Sequence, residues 1–180
     1  TSNYLWTLPL FHCDGWTHPW AVTSVGGTHV CLRAIDPVEV FRLIDAEDVT
    51  HMAAAPIVLS MLIHAPDDVK PRTERSAPVQ VATGGAAPPS KVIDDMETMG
   101  FKIIHLYGLT ESYGPSLICE MQEDWVSLPL STRAQKMARQ GVPHVLAGDC
   151  QVVDPETMQP VPADGKTIGE IMLRGNTVMK

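Results

Sequence analysis

Short apolar runs alternate with amphipathic stretches along the first two thirds of the chain. Apolar runs of strand length predict strands over residues 4–10, 28–32, 49–55, 79–82 and 101–106. Between these runs, apolar residues recur at helical spacing, which predicts helices over residues 15–25, from 37, from 56 and over 89–99. Strands that alternate with helices favour a parallel sheet covered by helices, so the predicted fold class is α/β.

Local signals support two of these helices. Asp36 precedes Pro37 and Glu39, a combination typical of a helix N-terminus, because aspartate accepts backbone hydrogen bonds there and proline fits the first turn. Gly100 follows the helix that is predicted to end at Met99. Glycine is common at that position because it adopts the left-handed conformation that closes a helix.

The pattern changes after Tyr113. The later segments predict one short helix and two strands, at residues 131–139, 151–153 and 168–173. Two strands without a helix between them favour an antiparallel hairpin. We therefore expect residues 1–120 to form an α/β subdomain, and residues 121–180 to form a linker helix and the start of a β-rich, distorted-barrel subdomain.

Composition and charge narrow the class of protein. The formal net charge is −8, from 13 Lys and Arg against 21 Asp and Glu. We expect no nucleic-acid partner, because neutralising a phosphate backbone needs a basic surface. The apolar fraction of 44% is typical of a packed globular chain. The longest apolar stretch, residues 52–63, is interrupted by Pro56 and Ser60 and is too short to span a bilayer.

The cysteines suggest a cellular compartment, and the chain ends suggest that the sequence is part of a longer polypeptide. The four cysteines lie far apart and form no C-x-x-C pair. Without a leader-like segment, they predict reduced thiols in a cytoplasmic protein. The chain starts at Thr1 and stops at Lys180, each beside an apolar run. We therefore expect it to be an excised part of a longer polypeptide.

Three loops that follow predicted strands carry unusual residues. In an open parallel sheet, ligands bind at the carboxyl ends of the strands. The loops contain FHCDGW (Phe11 to Trp16), TGGAAP (Thr83 to Pro88) and LYGLTE (Leu106 to Glu111). The second loop matches neither the dinucleotide-binding nor the P-loop pattern, so neither chemistry follows from it.

Each loop allows a structural and a functional interpretation. Gly84 and Gly85 are compatible with a tight strand-to-helix turn, and equally with a backbone that a ligand approaches closely. Thr110 is compatible with a helix cap, whereas Tyr107 offers a stacking face and Glu111 a carboxylate of the kind that Mg²⁺ prefers. The residues alone leave both interpretations open.

Taken together and in order, the motifs resemble those of the adenylate-forming superfamily, which includes the AMP-forming acyl-CoA synthetases. The matching segments are FHCDGW, TGGAAPP, YGLTE and GEIMLRGNTVMK, the last over residues 169–180. Further segments, such as CLRAIDP and RAQKMARQGVPH, are similar to the branch with medium-chain and 3-(methylthio)propionyl-CoA ligases. The four motifs span almost the whole chain.

The resemblance implies a two-step reaction that uses ATP, Mg²⁺ and coenzyme A. A carboxylate attacks the α-phosphate of ATP and releases pyrophosphate, and the thiol of coenzyme A then captures the acyl-adenylate. By this resemblance Thr110 and Glu111 are catalytic, Glu111 as the Mg²⁺ ligand and Thr110 as a donor to the phosphate. The resemblance assigns nucleotide binding to Gly84, Gly85, Ala86, His105, Tyr107, Gly108 and Thr110.

The same resemblance places an acyl pocket at His12, Trp16, Gly84 and Gly108. Relatives restricted to acetate carry tryptophan in place of the glycine of the YGLTE motif. Gly108 is therefore expected to leave room for a longer chain, and Gly108→Trp to shift preference toward acetate or propionate. Because these wall positions lack acidic or basic anchors, an apolar acyl tail is expected.

The resemblance thus implies that the parent polypeptide is an ATP-dependent ligase that joins a short- to medium-chain carboxylate to coenzyme A, and a homodimeric parent is expected. The family's phosphate loop and C-terminal domain are not found in residues 1–180, so the isolated chain is expected to be inactive. Two alternatives stay open. One is a non-catalytic, nucleotide-binding module. The other is an adenylating enzyme that does not use coenzyme A.

Overall fold

The computed structural model describes residues 2–70 and 75–180, apart from the side chain of Asp14. In chain order the helices and strands are β1 (Asn3–Trp6), α1 (Cys13–Trp16), α2 (His18–Ser24), β2 (Thr28–Cys31), α3 (Pro37–Ala46), β3 (His51–Ala53), α4 (Pro56–Ile63), β4 (Val79–Thr83), α5 (Ser90–Thr98), β5 (Phe101–Leu109), β6 (Gly114–Cys119), α6 (Leu130–Met137), β7 (Val142–Pro143), β8 (Asp149–Val153) and β9 (Glu170–Arg174). Short 3-10 turns cover Thr110–Ser112 and Glu123–Trp125.

The first seven strands form one sheet in the order β2-β1-β3-β4-β5-β6-β7. Strands β1 to β5 pair in parallel, and β6 and β7 extend the sheet in antiparallel pairs. Thr83, the last residue of β4, pairs with His105, and β5 continues four residues further, to Leu109. The predicted α/β class and its five parallel strands are confirmed.

The predicted helix signals are confirmed at α3 and α5. Asp36 accepts a hydrogen bond from the N–H of Val38 at 3.3 Å, and Pro37 occupies the first turn of α3. Gly100 follows α5 with φ of 87°, in the left-handed region. The single helix predicted over residues 15–25 is instead two, α1 and α2, which Thr17 separates.

The two faces of the sheet are covered unequally. Helices α3, α4, α5 and α6 pack on one face around a large core, where Ile44, Leu59, Ile93 and Met137 are fully buried. Burying each such side chain stabilises the fold by about 1.5–3 kcal/mol. On the other face, Val22 of α2 forms a smaller cluster with Tyr4 and Ala53. The second face therefore has room for cavities.

The sheet continues beyond residue 120. Helix α6 contributes Ala134 and Met137 to the large core, and β7 pairs with β6. Strands β8 and β9 form a separate antiparallel pair, which confirms the predicted hairpin. The change from one sheet to the other thus lies between Pro143 and Asp149, later than the sequence pattern suggested.

Strands β6 and β7 were not predicted, because each contains a proline. Pro115 lies in β6 and Pro143 in β7, and proline removes a donor from a strand ladder. Proline is tolerated at sheet edges and at bulges: β7 is the edge strand, and Pro115 pairs with Gly108 beside the register shift between β5 and β6. No helix in the described part of the chain is long and apolar enough to cross a membrane.

Candidate ligand cleft at the carboxyl ends of the strands

A cleft of about 390 Å³ opens where the parallel strands end. The loop after β1, the start of α4 and the loop after β4 form its walls, and Leu106 of β5 lies at its border. The lining side chains are small or apolar, apart from the imidazoles of His12 and His18. Among the described residues, no Asp, Glu, Lys or Arg lines the cleft, so it suits an apolar group better than a charged one.

A tight turn after β1 places His12 in this cleft. The N–H of His12 donates to the carbonyl of Pro9 at 3.1 Å, and the N–H of Trp16 donates to the carbonyl of His12 at 3.0 Å. A Cβ at Gly15 would lie 2.2 Å from the carbonyl oxygen of Pro9. Only glycine therefore allows this loop to fold back so closely.

The loop after β4 brings its backbone to the cleft. Gly84, Gly85 and Ala86 line the cleft, and Gly85 has φ of 81°, which an L side chain rarely adopts. A Cβ at Gly85 would meet no atom within 4 Å, so the space beside this backbone is open. Helix α5 begins shortly afterwards, at Ser90. A ligand can thus lie directly against the loop backbone.

The YGLTE segment forms the end of β5 and the turn that follows it. Thr110 and Glu111 are exposed in a 3-10 turn. Ser112 holds the turn, since its hydroxyl accepts from the N–H of Leu109 at 2.9 Å. Trp16 packs edge to face on Tyr113, with ring centroids 4.8 Å apart, so the loop after β1 contacts this turn.

The structure brings together four of the ten predicted site residues, because His12, Gly84, Gly85 and Ala86 line one cleft. Tyr107 is half-buried and directly follows Leu106 at the border of the cleft. The remaining residues do not line the cleft. These are Trp16, His105, Gly108, Thr110 and Glu111.

The placement of His105 differs from the expectation. The His105 side chain is 1% exposed and lies on the face of β5 that Phe101 and Ile103 bury against the helices. Its Nδ1 atom is 2.8 Å from the carbonyl oxygen of Arg139, and burial lowers its pKa from the ordinary value. The His105 side chain therefore lies in the helix-covered core and does not line the cleft, and its contact with a nucleotide stays a prediction.

Gly108 lies where β5 and β6 approach each other most closely. A Cβ at Gly108 would lie 2.0 Å from the carbonyl oxygen of Gly114 and 2.7 Å from Cα of Pro115. The register of β5 and β6 shifts between Tyr107 and Gly108, which brings the two backbones together. Gly108 therefore permits close strand pairing, and a side chain there would collide with β6 before it filled an acyl pocket.

The role of Glu111 as a magnesium ligand stays a prediction. Within residues 2–70 and 75–180, no group of three or more His, Cys, Asp or Glu side chains could hold a metal by itself. Mg²⁺ is commonly held by one or two carboxylates together with substrate phosphates and waters. The Glu111 carboxylate is exposed in the turn after β5, which is compatible with that mode.

Sequence reasoning missed several cleft residues. Leu8, Ala55 and Ile57 line the cleft from the ends of β1 and β3. The rule that ligands bind at strand ends would have found these positions. His18 gave no comparable signal, because its place in the cleft depends on the break between α1 and α2.

An open, mainly parallel sheet with a cleft at the carboxyl ends of its strands defines an α/β protein that binds a small molecule. The family model described as "AMP-binding enzyme" matches residues 1–180. The chain belongs to this family.

Curated relatives match almost the whole chain. It is 48% identical over 179 residues to a peroxisomal acetate/butyrate–CoA ligase of Arabidopsis thaliana, which covers 98% of this chain and 31% of the relative. It is 46% identical over 176 residues to a 2-methylpropanoate–CoA ligase of Humulus lupulus, and this match covers 98% of this chain and 31% of the relative. The chain therefore spans about a third of the length of these relatives.

A solved structure shows the same fold. The chain matches the O-succinylbenzoate coenzyme A synthetase of Bacillus subtilis, solved with ATP and magnesium, with a TM-score of 0.75 and 23% identity. The match covers 99% of this chain and 34% of that one. The resemblance to AMP-forming acyl-CoA synthetases is confirmed by the family match and the named relatives.

Proposed function

We propose that residues 1–180 form the acyl-binding side, and part of the nucleotide-binding side, of an ATP-dependent acyl-CoA ligase. The observation that carries this proposal is the apolar cleft that His12 and the backbone of residues 84–86 line together. The relatives are named as ligases of acetate, butyrate and 2-methylpropanoate. These names favour a short- to medium-chain carboxylate and favour coenzyme A as the acceptor.

In the proposed first step, a carboxylate oxygen attacks the α-phosphate of ATP and pyrophosphate leaves. In the second, the thiol sulfur of coenzyme A attacks the acyl carbon and AMP leaves. Bound with ATP at Glu111, Mg²⁺ would neutralise part of the phosphate charge. Thr110, in the same exposed turn, would donate a hydrogen bond to the phosphate.

The cleft residues have separate tasks in this proposal. His12 would orient the carboxylate, and the open backbone at Gly85 and Ala86 would lie against the acyl-adenylate. Tyr107, which follows Leu106 in β5, would stack on the adenine. The apolar walls, such as Leu8 and Ile57, would keep water from the reactive mixed anhydride.

Pyrophosphate release tests this function in a polypeptide of the relatives' full length. With ATP, Mg²⁺ and coenzyme A, the rate is expected to depend on an added carboxylate such as butyrate. Glu111→Gln should lower kcat about 100-fold or more, because one charged ligand is lost. Glu120→Gln, a change at another exposed glutamate, should leave kcat unchanged. Carboxylate-independent rates, or full activity in Glu111→Gln, would contradict the proposal.

The isolated chain should not sustain the reaction, since it corresponds to 31% of the length of the relatives. Calorimetric titration with AMP and with an acyl-adenylate analogue measures any binding that it retains. Robust turnover by the 180-residue chain would refute this expectation. A cytoplasmic location and a homodimeric parent stay predictions, and several relatives are named as peroxisomal.

A further inference from the structure

A second cavity lies beside the cleft on the same face of the sheet. It measures about 280 Å³ and lies toward the start of the strands. On β5, for example, Ile104 lines the second cavity and Leu106 lines the cleft, two residues further on. The two cavities share two lining residues, His18 and Ala82. They are therefore neighbours along the strand direction.

His18 supplies most of the shared wall. Ala82 presents only a methyl group, whereas His18 presents a ring at the first position of α2. This ring stacks on Tyr4 with centroids 4.9 Å apart and planes 27° apart. Tyr4 itself is buried in β1, so the stack fixes the imidazole against a rigid strand.

The second cavity suits a hydrocarbon chain. Its walls contain the apolar side chains of Ala21, Val22, Val25 and Ile104. Polar side chains, such as that of Gln80, lie at the end further from the cleft, because they come earlier in the strands. An acyl tail that overran the cleft would meet this apolar space if the imidazole were removed.

We infer that His18 sets the length of the acyl chain by closing the inner end of the cleft toward the second cavity. This inference rests on the proposed function and adds a specificity-determining residue to it. Tails that end before the imidazole should be accepted, and longer tails should be rejected by contact with its ring. His18→Ala should join the two cavities into one channel along the sheet.

The test is the chain-length profile of the full-length polypeptide. We would measure kcat/KM with straight-chain carboxylates of two to twelve carbons for wild type, His18→Ala, His18→Phe and His64→Ala. In His18→Ala the preferred length should increase, with a gain of about fourfold for each methylene that enters the second cavity. His18→Phe keeps a ring at the wall and should keep the wild-type profile. His64→Ala, at an exposed imidazole after α4, should do the same.

Three outcomes separate the possible failures. A folded His18→Ala variant with an unchanged profile would overturn the inference and leave the proposed function in place. A wild-type polypeptide without carboxylate-dependent pyrophosphate release would overturn both. Should His18→Ala fail to fold, His18→Ser, whose side chain is also much smaller than the imidazole, decides by the same criterion.

Discussion

Replacing Gly108 tests the packing of β5 on β6 most severely. A Cβ at this position would lie 2.0 Å from the carbonyl oxygen of Gly114, where ordinary contacts begin at 3.4 Å. The atoms in the way belong to the backbone of a paired strand, which cannot rotate aside as a side chain can. Gly108→Ala should therefore displace the Gly114 carbonyl, and Gly108→Trp should displace it further.

The expected cost follows from what this displacement breaks. The hydroxyl of Ser112 donates to the carbonyl oxygen of Gly114 at 2.9 Å. Losing that buried hydrogen bond costs about 1 kcal/mol, and forcing an extra group into a packed region costs about 1–3 kcal/mol. Gly108→Ala should thus lower the free energy of unfolding by about 2–4 kcal/mol. In a chain of this length, Tm should fall by about 5–15 °C.

Guanidinium and thermal unfolding measure this loss directly. Gly26→Ala is a matched control, because Gly26 has φ of 64° and a Cβ there would meet no atom within 4 Å. That control should cost only about 1 kcal/mol, for the unfavourable backbone conformation. A Gly108→Ala variant whose free energy of unfolding lies within about 0.5 kcal/mol of the wild-type value, the usual scale of neutral changes, would refute the reasoning. So would a stable Gly108→Trp enzyme with a new preference for acetate.

Three further predictions concern other contacts. Arg133 Nη2 lies 2.8 Å from the buried Glu97 carboxylate. Arg133→Met should lower the free energy of unfolding by about 3 kcal/mol, because it leaves that carboxylate without its partner. Denaturant unfolding should show that the double variant with Glu97→Met recovers most of this loss. Burial lowers the pKa of His105, so the unfolded chain takes up a proton there at a higher pH than the folded chain does. The free energy of unfolding should therefore fall as pH drops below about 6.5, by up to about 1.4 kcal/mol per pH unit. An equal dependence of the free energy of unfolding on pH in His105→Phe would contradict this. Trp16→Leu should lower the free energy of unfolding by about 1 kcal/mol, because the ring contact with Tyr113 is lost. It should also speed amide hydrogen exchange in the turn after β5, and unchanged exchange would count against that coupling.

The parallel core could be predicted from the sequence because each strand buries apolar side chains against the helix-covered core. Residues such as Leu5, Val81 and Ile103 lie in short, mostly apolar runs, and the turn residues that separate these runs are local signals. The antiparallel extension could not be predicted in this way. Pro115 argues against a strand locally, and only the pairing with β5 places it in one.

The site was predictable where it depends on strand ends and not where it depends on register. His12 and Gly85 lie in the loops after β1 and β4, and they line the same cleft. His105 lies within a strand, where side chains alternate between faces, so it shares the buried face of Ile103. The motif resemblance did not take that alternation into account. The close approach at Gly108 arises from a register shift against β6, which no local pattern shows.

A structure of the full-length polypeptide with a non-hydrolysable butyryl-adenylate analogue tests the central claim most directly. The claim is that the cleft at the strand ends is the acyl site. The account predicts that the butyryl tail contacts Leu8, His12 and Ile57 and stops short of the His18 ring. An acyl tail in another cavity, such as the one of about 350 Å³ beside Glu97 at the start of β5, would contradict it.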